Sequence, residues 1–112
     1  MADRELLELA AKAAGIEYWV VRFAPRENPI EKLHTTVGGE TVEWNPLTDD
    51  GDAFRLAVSL NLSFCVGDAY IVIHSVGRPN LVTQQYDGDP YSATRRAIVR
   101  AAAEIGKAME DE

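Results

Sequence analysis

At 112 residues, 46% hydrophobic and 26% charged, the chain has the size and composition of one folded domain and not of a disordered segment. Its formal net charge of −7 repels a phosphate backbone at long range and excludes a general nucleic-acid binder, although a small anion can still be met locally. The longest apolar runs, such as Ala69 to Ile73, are far shorter than the roughly 20 residues of a membrane-spanning helix, and Met1-Ala2-Asp3-Arg4-Glu5 is unlike a signal peptide, so the expected address is the cytoplasm, with no membrane contact.

Asp3 is a suitable N-cap, and Leu6, Leu7, Ala10, Ala13 and Ala14 follow at helical spacing until Gly15, which predicts a first helix. From Ile16 to Ala24 the period changes to two, with Trp19, Val21 and Phe23 on one face and Tyr18, Val20 and Arg22 on the other. This predicts a strand, ended by Pro25. The segments Ile30 to Val37 and Glu40 to Trp44 flank Gly38-Gly39, a pair suited to the positive φ of a tight hairpin.

Ala53, Leu56, Ala57 and Leu60 are spaced i, i+3, i+4, i+7, so a second, short amphipathic helix begins near Asp50. Three strand-like runs follow, Ser63 to Val66, Ala69 to Val76 and Leu81 to Tyr86, the last after the turn residues Gly77-Arg78-Pro79-Asn80. Asp87-Gly88 then turns the chain, Asp89 caps, and Pro90 opens a third helix with an apolar stripe of Ala97, Ile98, Ala101, Ile105 and Ala108. The class is α+β: a mostly antiparallel sheet flanked by three helices on both faces, an α/β/α sandwich in a single domain. The alanine-rich stripes of the first and third helices suit close packing of a helix on a sheet.

Asp49, Asp50 and Asp52 around Gly51 invite a metal reading. An EF-hand loop needs a glycine at position six and a glutamate at twelve, and here the glycine comes too early and is followed by Ala53, Phe54 and Leu56. The expectation is therefore a helix start, with Thr48 or Asp49 capping, the other carboxylates at the positive end of the helix dipole, and no metal bound. Trp44-Asn45-Pro46 just before it predicts a rigid corner with the indole packed on the core.

His34 and His74 are the two histidines, and His74, sharing a strand face with Tyr70 and Val72, is expected to be half-buried and hydrogen-bonded. No zinc spacing occurs, and Cys65, alone between Phe64 and Val66, is expected to be a small buried apolar side chain. Neither G-x-x-x-x-G-K-[ST] nor G-x-G-x-x-G is present, and no catalytic constellation is visible, so neither an enzyme nor a cofactor is expected. Arg95 and Arg96 read as a solvated helix face. Arg22 on a strand face with Tyr18, Arg26 and Arg78 in proline-containing loops, and Tyr86 are the candidate ligand-binding residues, because guanidinium groups with aromatics suit a planar or phosphorylated ligand; salt links to the many carboxylates are the bland alternative for the arginines.

Three blocks carry a family resemblance: Asp3 to Ile16, Trp44 to Ala53 with Arg55-Leu56-Ala57, and Asp89-Pro90-Tyr91 with Ala93, Arg95 to Ile98 and Ala101-Ala102. Together they resemble the phage ABA sandwich domain family. The resemblance implies a small protein of bacteriophages or prophages, with a sheet between helical layers and no assigned catalytic residues. Two functions follow as expectations. One is a non-enzymatic anti-defence protein that sequesters a small anionic nucleotide-like signal between subunits of a homo-oligomer, by analogy with other small phage proteins. The other is an acidic protein-interaction module that engages a host or phage protein.

Overall fold

The structure, a computed structural model, describes residues 2–23 and 30–110. It is an α+β fold of three helices and two three-stranded antiparallel sheets. In chain order these are α1 (Asp3–Ala14), β1 (Trp19–Phe23), β2 (Ile30–Val37), β3 (Glu40–Glu43), α2 (Asp50–Ser59), β4 (Ser63–Val66), β5 (Tyr70–Ser75), β6 (Arg78–Gln85) and α3 (Pro90–Glu110). The strands do not join in one sheet. They pair as β1-β2-β3 and β4-β5-β6, each in sequence order, because every link is local and α2 separates the two meanders.

The helix ends follow from their residues. Gly15 closes α1 at φ 69, the left-handed conformation that glycine adopts without a Cβ penalty. The start of α1 differs from expectation: Ala2 holds the cap position without a side-chain bond, and Asp3 is the first helical residue. Its carboxylate is taken instead by Arg96, at 3.1 and 3.2 Å. Asp49 caps α2, its Oδ2 accepting the Asp52 N–H at 2.7 Å, as the opening of a helix requires. Asp89 accepts the Tyr91 N–H at 2.9 Å at the head of α3.

Gly38 and Gly39 have φ of 59 and 84 in a two-residue loop between the paired Val37 and Glu40, the geometry of a type I′ hairpin. Two strand starts differ from the periodicity by more than one residue. β1 starts at Trp19, because the Thr35 hydroxyl donates to the Glu17 carbonyl at 2.7 Å and draws the preceding segment out of the ladder; Ala24, the expected end, lies outside the described residues. β6 starts at Arg78, so Arg78 and Pro79 belong to a strand and not to a loop. An edge strand accepts proline because its outward N–H has no ladder partner, and β6 is such an edge.

α3 is the central element. Ala97, Ile98, Val99, Ala101, Ala102 and Ala103 are all buried, around more of the helix than the expected stripe, because α3 packs on α1, on α2, and on β5 and β6. The small residues of α1, Ala10 and Ala11, are fully buried and lie in a helix whose main neighbour is α3. The alanine stripe of α1 thus serves helix-on-helix packing, not helix-on-sheet packing. Ile71 and Ile73 of β5 and Val82 of β6 complete this core, while Leu33 and Trp44 join the first sheet to it.

Arg4 reaches Glu31, a further tie from α1 to β2. Cys65 is exposed on β4, contrary to the buried role expected of it, because β4 is a sheet edge whose four residues all face solvent. No helix among the described residues is long and apolar enough to cross a membrane.

Candidate functional site

The candidate site is an open groove of about 1140 Å³. Its walls come from three places: the α1–β1 connection (Gly15 to Trp19), the hairpin end of the first sheet (Thr35 to Val37, Val42, Glu43), and the entry and body of α2 (Trp44, Asn45, Thr48, Asp49, Asp52, Arg55, Leu56, Ser59). Local sequence explains why these meet. Gly15 turns the chain off α1, the Thr35 hydroxyl pins Glu17, and the Trp44 N–H donates to the Leu33 carbonyl at 2.8 Å. That bond carries the β2–β3 ladder one residue past its end and seats the indole, only 5% exposed, in the core.

The corner after Trp44 is tied by side chains. The Asn45 N–H donates to Asp52 Oδ2 at 2.9 Å and the Asn45 Oδ1 accepts the Leu47 N–H at 3.0 Å. From α3, Arg95 Nε donates to the Leu47 carbonyl at 2.8 Å and its Nη1 to Asp50 Oδ1 at 2.7 Å. Arg95 is therefore a clamp on the α2 entry. Arg96 and Arg100 likewise bond Asp3 and Gln84, so these three arginines tie α3 to other elements and do not form a free solvated face.

The groove is acidic. Among the described residues, Glu17, Glu43, Asp49 and Asp52 line it against one cation, Arg55, and that cation is already held by Asp52 at 2.7 Å with Asp49 at 3.9 Å. Its apolar lining includes Ile16, Trp19, Val37, Val42 and Leu56. Tyr18 also lines it, and burial pushes the Tyr18 phenol above its usual pKa, with Glu8 adding to the rise and Arg4 opposing it. Such a surface attracts cations and offers apolar footing, and it repels phosphate.

Of the described residues that the sequence marks for a ligand, Tyr18 alone lines this groove. Arg22 lies on β1 opposite Glu31. Arg78 opens β6 in the other sheet, opposite Ser75, and Tyr86 donates its hydroxyl to the Gly67 carbonyl at 2.7 Å, beyond the end of that sheet. Arg26 lies outside the described residues. Arg22 and Arg78 thus sit in separate sheets. His74 is half-buried, and its Nδ1 accepts the Asn80 N–H at 2.9 Å beside a register shift in the β5–β6 ladder, a structural bond of the expected kind. The groove residues Glu17, Glu43 and Arg55 carry no sequence signal of their own, since their convergence depends on where α2, packed on α3, stands across the groove from the first sheet.

Searches of protein-family models, of curated proteins and of solved structures found no match to this chain.

Proposed function

We propose that the chain is a non-enzymatic interaction module whose acidic groove takes a basic, apolar-studded segment of another protein. The observation that carries this reading is the lining of the groove: among the described residues, four carboxylates, one guanidinium already paired among them, and the exposed apolar side chains of Trp19, Val37 and Val42. A positively charged segment would gain long-range attraction from the net charge of −7 and local contacts from Glu17 and Glu43, whose backbone neighbours fix the rim. The likeness to the phage ABA sandwich family supports a host or phage protein as the partner.

A nucleotide-like ligand is the second reading, favoured by one observation: Tyr18 and Trp19 both line the groove, and aromatic faces suit a planar base. The carboxylates weigh against its phosphates.

One pair of titrations separates the two. A peptide of alternating lysine and leucine should bind the chain in calorimetry, more weakly as salt rises, and a Glu17→Gln/Glu43→Gln variant should bind it at least several-fold less well. A nucleotide library read by melting temperature should give no rise, whereas a true ligand at about 100 times its Kd would add roughly 2.7 kcal/mol. A nucleotide that raises the melting temperature, and loses that effect in Tyr18→Ala or Trp19→Ala, would replace the first reading by the second.

A further inference from the structure

Among the described residues the fold leaves four strand edges, on β1 and β3 of one sheet and on β4 and β6 of the other. An exposed edge is a template for another chain, and proteins blunt such edges with charge, proline or bulges. Three of the four are blunted. β1 carries Arg22, β3 carries Glu40 and Glu43, and β6 carries Arg78, Pro79 and a register shift against β5. β4 has none of these devices: its register with β5 is unbroken from Ser63 to Val66, and the sequence holds no charge from Leu60 to Gly67.

The side chains of β4 point the same way. Phe64 and Val66 pair with Ile73 and Ile71, so they lie on the core face of the sheet. Along one row, exposure runs from Val82 at 4% through Ile73 at 0% to Phe64 at 42%, and in the next from Ile71 at 0% to Val66 at 61%. The core face thus continues past the helices that cover it, and its last two apolar side chains have no cover. The backbone agrees as well. The Gly67 N–H donates to the Tyr70 carbonyl at 3.0 Å, and antiparallel alternation then turns the N–H and C=O groups of Phe64 and Val66 outward from β5.

We propose that β4 is a homodimer edge, pairing antiparallel with β4 of a second copy about a two-fold axis to give one continuous six-stranded sheet. A second copy fits for two reasons. An antiparallel strand edge is complementary to itself under a two-fold axis, with the outward groups of Phe64 and Val66 meeting their equivalents. Two chains of charge −7 repel, and this uncharged strip is where they can meet without opposing carboxylates. Cys65, exposed on the other face of β4, then lies directly opposite its own copy or one diagonal step away, within about 8 Å.

The test reads assembly alone, with neither peptide nor nucleotide present, so its outcome is separate from that of the groove. Sedimentation equilibrium of the unsubstituted chain should give twice the monomer mass of 12.3 kDa, and a short bis-maleimide should join two chains through Cys65. Phe64→Lys, which puts a charge on the edge, and Val66→Pro, which removes an outward N–H, should each give a monomer with an unchanged far-UV circular dichroism spectrum. A monomeric parent, or a dimer that both variants keep, would overturn the proposal, as would a dimer that the Cys65 reagent does not join.

Discussion

A Cβ placed on Gly106 would lie 2.1 Å from the carbonyl oxygen of Leu9. α1 and α3 therefore approach as closely as backbone allows at this point, and only hydrogen fits between them. Gly106 sits in a helix interior, where alanine would ordinarily be favoured by about 1 kcal/mol. Here the sign should reverse. Gly106→Ala must push the helices apart and should lower stability in urea unfolding by about 1–3 kcal/mol, the usual cost of overpacking; a neutral or stabilising result would mean that the two helices do not meet there.

Trp44 anchors the corner between β3 and α2. Its ring is buried and its N–H extends the β2–β3 ladder, so Trp44→Ala should cost about 3 kcal/mol or more. Chemical denaturation reads this directly. A loss under about 1 kcal/mol would show that the indole is not part of the core.

Arg95 and Arg96 are neighbours with different duties. Arg95 serves the Leu47 carbonyl and Asp50 from a site where its side chain is only 19% exposed. Arg95→Ala removes the donor from that carbonyl and should cost about 1–3 kcal/mol. Arg96 pairs with Asp3 in the open, and Arg96→Ala should cost less than about 1 kcal/mol. Paired melting curves would show the order, and equal losses would refute it.

Tyr18 gives the fold an alkaline sensitivity. Its phenol titrates above the usual value when folded because burial disfavours the phenolate. As pH rises through the ordinary tyrosine range, the unfolded chain releases this proton first and so binds fewer protons than the folded one, which lowers stability. Below that range both states hold the proton and the group has no effect. Stability should fall as pH passes the unfolded value, and the fall should be smaller in Tyr18→Phe; a parallel loss in both proteins would assign the sensitivity elsewhere.

The sequence made legible what local chemistry decides. Gly38-Gly39, Asp49 and Asp89-Pro90 specify a turn, a cap and a helix start through bonds within four residues, and the structure has all three. Distant partners were not readable. Asp3 looks like a cap but finds Arg96, Arg95 looks solvated but finds Leu47, and Cys65 looks buried because its hydrophobic neighbours cannot show that β4 is a sheet edge. The split into two sheets was hidden for the same reason, since strand periodicity records faces and not partners. The groove was the least legible, as its carboxylates come from three segments that only the packing of α2 brings together.

The pairing of α1 with α3 also sets an order of events in the life of the chain. Asp3 and Arg96 are 93 residues apart, and a helix of 12 residues such as α1 is marginal in water without a packing partner. During synthesis α1 precedes α3 and has to wait for it before its apolar stripe finds cover. Each sheet can close its hairpins earlier, from local contacts. Cotranslational folding of this domain would therefore yield two independent meanders first, and a cooperative whole only when α3 is released.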